Sequence, residues 1–268
     1  MKIISLLTII FFGGYLYCGI YALYLNPKVI INRLYVIMSL CLAGFTLCSF
    51  LSVSSGSSIE LMRFHKAGMF FIVVFFAMTL HYFILLTSQA PAKPLIIGLV
   101  YLPLPFLVFF NITSSLLYSE IIQTGGALSF VSSYGSFPYF FYIAFITIYN
   151  IFYLALVARW GKRSVLKKTK IQARVLFISL FIAFSSGMLE EILIPPVTPY
   201  TSHQLSIFFF MIPMAAALFT VSRTRFMALT SEYVSEEIVN NKLKVKSKIQ
   251  LLDVCKEYTL LAQNPAEK

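Results

Sequence analysis

The sequence predicts an all-α fold: a polytopic membrane bundle of seven transmembrane helices followed by a C-terminal cytoplasmic helix. Three observations carry that expectation. The 268 residues are 59% hydrophobic and 12% charged, with a mean hydropathy of +0.85, far outside the range of soluble domains. The apolar residues gather in seven long runs. The basic residues, which give a formal net charge of +11, fall in short blocks between those runs, as membrane-flanking loops do, and this argues against nucleic acid as a partner.

A helix needs about 20 mainly apolar residues to cross about 30 Å of hydrocarbon. The runs that meet this are 3–24, 34–53, 67–87, 94–110, 138–157, 175–194 and 205–221. The first begins with a lone Lys2 in the manner of a signal peptide, but it is too long and lacks an A-x-A exit, so it reads as a retained helix. The fourth and seventh are the shortest and carry Pro103, Pro105 and Pro213. A bundle interior can satisfy the backbone groups that these prolines release. Of the four cysteines, Cys18, Cys41 and Cys48 lie inside apolar runs and Cys255 in the tail, with no CxxC pair. Neither a disulfide framework nor a metal site is indicated, and no cofactor is expected.

Lysine and arginine set the orientation. The connection ARWGKRSVLKKTKIQAR holds seven basic residues and no acidic one, so it is expected in the cytoplasm. By parity Lys28, Arg33, Lys93, Arg223 and Arg225 join it, against Lys2, Arg63 and Lys66 on the other side. The expected protein is a multi-pass component of the cell membrane with its N-terminus outside and its C-terminus in the cytoplasm. The long connection NITSSLLYSEIIQTGGALSFVSSYGSF would lie outside. It has no Lys or Arg and places Gly-Gly between short β-prone runs, which predicts a small hairpin or lid. Asn111-Ile-Thr within it has the form of a glycosylation sequon. No repeat of 20 to 50 residues and no inverted pair of broken helices is visible.

From Ser222 onward the chain is charged and free of Gly and Pro until Pro265, which divides it into 1–222 and a helical segment, 223–268. A stripe at 3,4 spacing includes Val234, Ile238, Asn241 and Val245. It reads either as a seam between paired helices in a homodimer, with Asn241 setting register, or as a solvated juxtamembrane helix.

The chain resembles the seven-helix N-terminal sensor region of bacterial histidine kinases and related signalling proteins. The resemblance is carried by YALYLNPKVIINRLYVIMSLCLAGFTLCSF, FFAMTLHYFILLT, SYGSFPYFFYIAFITIYNIFYLAL, KKTKIQAR, EILIPP and SRTRF, in that order over about residues 1–225. It implies a receptor module that senses an external or lipid-phase ligand, works as a dimer through its exit helix and regulates a cytoplasmic kinase or other output domain. The chain departs from the pattern in one respect. No phosphoacceptor histidine box, nucleotide-binding box or GGDEF-type segment is present, and His65, His81 and His203 all precede the tail. The chain is therefore expected to be a non-enzymatic sensor fragment or a stand-alone membrane subunit.

Ionisable and strongly polar groups inside a membrane cost about 2.5–3.5 kcal/mol at a helix centre, so each needs a reason. His81 is either interhelical packing glue or a sensing group. Asn150, with Thr147 one turn earlier, is either an interhelical hydrogen bond or a ligand contact. Arg63, His65 and Lys66, just outside the third run, could meet an anionic head group or snorkel at the interface. Tyr134, Phe137, Tyr139 and Phe140 form either an aromatic belt or the mouth of a lipid cleft. In SGMLEEILIPP the two carboxylates point about 100° apart. Glu190 shares its face with Gln172, Ser179, Ala183, Ser186 and Gly187, and is read as an inward ligand or coupling residue or a structural hydrogen-bonding group; Glu191 is an interface charge.

A binding and transducing role therefore leads. The competing class is a small intramembrane transporter or lipid-modifying subunit, but no HExxH or Ser-His pairing supports catalysis. A retinal protein is excluded because the seventh run, LSIFFFMIPMAAALFTV, has no lysine for a Schiff base. Membrane lipids and an unidentified small ligand are the expected partners besides the output domain.

Overall fold

The computed structural model describes residues 2–55, 57–87, 94–114, 116, 118–124, 127–132, 135–164, 167–189 and 208–220. The chain divides into two units, Met1–Phe219 and Thr220–Lys268. Of the second, only Thr220 is among the described residues, and the proposed seam residues Val234, Ile238, Asn241 and Val245 lie outside them.

The first unit is a helical bundle: α1 (Lys2–Leu25), α2 (Ile30–Ser54), α3 (Ser58–Thr87), α4 (Pro94–Tyr101), α5 (Pro103–Thr113), α6 (Phe137–Arg163) and α7 (Lys167–Met188). The final described helix, α8 (Phe208–Thr220), is shorter. Six spans are long and apolar enough to cross a bilayer, with α4 and α5 forming one of them, Pro94–Thr113. The protein is a polytopic helical membrane protein. Large apolar side chains such as Leu95, Ile112, Tyr17 and Ile148 are exposed on its flanks, where lipid in place of water removes the usual penalty.

The helices pack in a chain of neighbours, α1 on α2 and α2 on α3, with α3 also touching α4, α5 and α6, and α6 touching α5 and α7. The central position of α3 follows from its sequence. Leu61, His65, Gly68, Met69, Ile72, Phe76 and Leu80 recur at helical spacing and are buried, and Gly68 lets Phe45 and Cys48 of α2 approach closely. Helix α3 runs antiparallel to the α4–α5 span, since Lys66 meets Ile112 toward one end and His81 meets Tyr101 toward the other, and Gly161 near the end of α6 meets Ala173 near the start of α7. The α1–α2 turn and the α2–α3 turn lie at opposite ends of α2.

Both ends are fastened by polar groups. At the first, Asn32 Nδ2 donates to the oxygens of Ala22 at 3.3 Å and Asn26 at 2.9 Å, and Arg33 Nε donates to the Pro27 oxygen at 2.7 Å. The Ala22 oxygen, in the last turn of α1, also accepts from the Asn26 N–H, and the Asn26 and Pro27 oxygens belong to the turn that follows, so these bonds tie the start of α2 to the end of α1. At the other end, Lys66 Nζ donates to the Ile112 oxygen at 3.2 Å, and Asn111 Nδ2 donates to the Lys66 oxygen at 2.7 Å. A cation there also complements the negative end of the α5 dipole.

The connection from α5 to α6 contains the expected hairpin. Strands β1 (Tyr118–Thr124) and β2 (Ala127–Ser132) pair antiparallel, with Ile121 opposite Phe130 and Thr124 opposite Ala127, and the register shifts between Tyr118 and Glu120. Ser136 then caps α6, its Oγ accepting from the Tyr139 backbone N–H.

Three boundaries differ from the apolar-run reading. Helix α3 begins at Ser58 rather than at 67, so Arg63, His65 and Lys66 are helical. His65 is buried instead of flanking the membrane, and only Arg63 points clear of the protein. Counting charges misplaces this start because Lys66 spends its charge on a carbonyl and Arg63 sits on an exposed face. The fourth span carries a break at Leu102, where Pro103 and Pro105 open α5. Helix α7 starts at Lys167, so the basic run KKTK belongs to the helix.

Candidate functional site

Five helices leave a cleft between them. From α6 come Tyr142, Ile146 and Asn150 at four-residue intervals, and from α3 come Ile72 and Phe76 at the same spacing, so each set lies on one helix face. Helix α7 contributes Ala183 and Gly187, again four apart, with Phe184 and Met188 beside them. Ala183 carries only a methyl group and Gly187 no side chain, so α7 adds little bulk to the wall at these two positions. Phe45 of α2 and Phe210 of α8 complete the wall. The cleft is narrow, with room for about 20 Å³, the space of a single water, between its walls.

Among the described lining residues, Asn150 carries the amide and Tyr142 a hydroxyl, and the rest of the wall is apolar or aromatic. The Asn150 side chain is 1% exposed. Its Nδ2 donates to the Ile146 oxygen one turn back, at 2.7 Å, a local bond of the kind short polar side chains make in apolar helices. A carbonyl only accepts, so the amide nitrogen must face Ile146 and the amide oxygen must face away. That Oδ1 is buried with no hydrogen-bond partner. Among the described residues, none that lines the cleft is charged.

The exit side of the cleft is held by aromatic and polar contacts of α8. The Phe210 ring lies 5.4 Å from Phe75 and 5.9 Å from Phe76, both edge-on, an arrangement favoured by ring quadrupoles. Phe208 meets Phe11 of α1 at 4.8 Å, and Tyr35 Oη donates to the Met214 oxygen at 2.8 Å. Helix α8 therefore rests on α1, α2 and α3 together.

The other predicted residues fall elsewhere. His81 is buried but sits apart from the cleft, bonded through Nδ1 to Tyr101 Oη at 2.7 Å, and Tyr101 Oη also reaches Met78 Sδ at 3.2 Å. Tyr101 has a single hydroxyl proton. Both bonds form only when that proton points to Met78 and His81 Nδ1–H donates to the tyrosine oxygen. This leaves His81 Nε2 a bare lone pair, buried with no partner, and matches the packing-glue reading. Next to it, Tyr149 Oη donates to the Val100 oxygen at 2.6 Å, which ties α6 to the same α4 turn.

Thr147 is half-buried and does not line the cleft, and Arg63 is exposed at the α2–α3 end. Ser186 Oγ donates to the Ala183 oxygen at 2.9 Å, a bond internal to α7. Glu190 and Glu191 lie outside the described residues. Most of the small and polar stripe assigned to Glu190's face is inside: Gln172, Ser179 and Ala183 are buried, and Gly187 lines the cleft. Of the aromatic group, Phe137 and Phe140 are exposed as a belt requires, but Tyr139 is buried, and Tyr134 is outside the described residues.

The sequence reading singled out Asn150 as an interhelical hydrogen bond or a ligand contact; its bond is instead to Ile146 of its own helix, and most of the residues around it were not singled out. Tyr142 and Ile146 could have been found from their i, i+4 spacing to Asn150, whereas nothing local marks Phe45 or Phe210. Among the described residues, no cluster of three or more His, Cys, Asp or Glu side chains could hold a metal ion. No protein-family model matches the chain, and no curated protein matches it.

Proposed function

We propose that the chain is a membrane-embedded receptor module. In this reading a ligand enters the cleft from outside the cell or from the lipid phase, and the signal leaves through α8 into the cytoplasmic segment 223–268, which pairs with that of a second copy and regulates a kinase-type output domain. The N-terminus lies outside and the C-terminus inside, as the basic connections favour. The observation that carries the reading is the double position of Phe210. It lines the cleft and is at the same time the α8 ring packed against Phe75 and Phe76. An occupant that displaces this ring biases the seating of α8, and a ligand shifts an equilibrium only through such differential contact.

The test is to fuse the full chain at its C-terminus to a histidine-kinase catalytic core and measure steady-state phosphorylation in membranes. Phe210→Ala is expected to change output at least about threefold, equivalent to a bias of about 0.6 kcal/mol, a usual size for one contact between membrane helices. Ile212→Ala, at a position of α8 that is 46% exposed, should leave output unchanged. Output indifferent to both substitutions would refute the receptor reading and favour a transporter or lipid-modifying subunit.

A further inference from the structure

We propose that the α6–α7 pair holds an anionic phospholipid with two phosphates, its head group clasped by basic residues of both helices and its acyl chains lying along the apolar surface next to them. The site is separate from the cleft and does not depend on the receptor reading.

The way the two helices meet builds the site. Near their connection Gly161 of α6 faces Ala173 of α7 so closely that a Cβ on the glycine would stand 2.8 Å from the alanine Cβ. The helices run antiparallel there, and successive residues turn by about 100°, so this contact fixes which side chains share a side of the pair. Lys162 of α6 and Lys167, Lys170 and Arg174 of α7 all fall on one side, and each is exposed. Tyr153 and Val157, by which α6 is buried in the bundle, fall on the opposite side, so the four cations look outward. Farther from the connection the same side carries the exposed Ile151 of α6. On α7 it carries the rings of Phe177 and Phe181, stacked 6.4 Å apart. One surface therefore runs from clustered charge into apolar bulk, which is the order of a phospholipid. Lys167 and Lys170 also stand in the first turn of α7, where the helix dipole adds to the positive potential. Four cations together outnumber the single charge of a one-phosphate head group, and two phosphates in one molecule match them better. The positive-inside rule accounts for the number of basic residues in this connection but not for four of them sharing a side. Basic pockets between membrane helices are suited to such head groups.

The probes are tetraoleoyl cardiolipin, with two phosphates, dioleoyl phosphatidylglycerol, with one, and zwitterionic dioleoyl phosphatidylcholine. Each is titrated into the delipidated full chain in detergent, and bound lipid is counted by native mass spectrometry. The first cardiolipin is expected to bind about fivefold more tightly than phosphatidylglycerol, and phosphatidylcholine more weakly than either. Lys162→Gln combined with Lys170→Gln should weaken cardiolipin about 10- to 25-fold, at about fivefold for each cation lost. Arg163→Gln combined with Lys168→Gln removes the same charge from positions off this side, and should change the affinity less than about twofold. If the first pair does not give a monodisperse protein on gel filtration, Lys167→Gln combined with Arg174→Gln takes its place with the same expected loss. Equal affinity for cardiolipin and phosphatidylglycerol, equal losses from the cluster pair and the charge-matched pair, or no cardiolipin retained overturns the proposal.

Discussion

Tyr35, near the start of α2, donates its hydroxyl proton to the main-chain oxygen of Met214 in α8, 2.8 Å away and 179 residues later in the chain. The tyrosine is fully buried, so its hydroxyl has no water to fall back on. Tyr35→Phe removes the donor and leaves the carbonyl its own helical bond. The expected cost is about 0.6–1.5 kcal/mol of α8 attachment. It should appear as a lowered unfolding midpoint in detergent, followed through the fluorescence of the single tryptophan, Trp160. A midpoint equal to that of the parent would show that the bond does not hold α8.

The His81, Tyr101 and Met78 chain predicts a non-additive pair. Tyr101→Phe strips His81 Nδ1 of its partner at 2.7 Å inside an apolar site, which should cost about 1–3 kcal/mol. His81→Phe on that background removes the stranded group, so the double variant should be less destabilised than the two single losses added together. Strict additivity in a thermal double-mutant cycle would argue that the two side chains do not interact.

Asn111 should resist glycosylation although Asn111-Ile-Thr has the sequon form. Its amide nitrogen is engaged by the Lys66 oxygen at 2.7 Å, and the residue is 6% exposed within α5. Translation into glycosylating microsomes should give a product whose gel mobility does not change on endoglycosidase treatment. Asn111→Ala should lower thermal stability by about 1–2 kcal/mol through the lost clasp. A glycosidase-sensitive band would contradict the burial.

Two glycines should respond in opposite directions to the same substitution. A Cβ at Gly161 would stand 2.8 Å from the Ala173 Cβ, across the α6–α7 contact, whereas one at Gly98 would meet nothing within 4 Å. Gly161→Ala should therefore destabilise by about 1–3 kcal/mol, the usual cost of forcing packed helices apart. Gly98→Ala should be neutral or stabilising by up to about 1 kcal/mol through helix propensity. Comparable unfolding midpoints for the two variants would remove the close-approach explanation.

The spans were legible because a bilayer demands long apolar runs, and the hairpin because Gly-Gly between β-prone residues has few other solutions. The start of α3 was not. Arg63 and Lys66 look like the edge of a membrane, yet a helix continues past that edge whenever its charges can lie on an open face or meet a carbonyl. The burial of His65 was written in the spacing Leu61, His65, Gly68, Ile72, but the neighbouring charges drew it into the wrong group. Asn150 stood out as a polar residue in an apolar run. The cleft it faces depends on Phe45 and Phe210, which are separated from it by 105 and 60 residues and look like any other phenylalanines. Such a site is a property of packing between distant helices, and local pattern does not encode it.

The Asn32 bonds to Ala22 and Asn26 close within ten residues of chain, whereas the bond that seats α8 spans nearly the whole membrane domain. In a chain made from its N-terminus, α1 and α2 can therefore join as soon as both have left the ribosome. The wall containing Phe210 cannot be set until almost everything before it is in the bilayer. The bundle is thus built around an unfinished side, and Asn150 waits there through assembly. Maturation of the protein ends with the same helix placement that the receptor reading assigns to its signal, so a defect in seating α8 would imitate a change of ligand state.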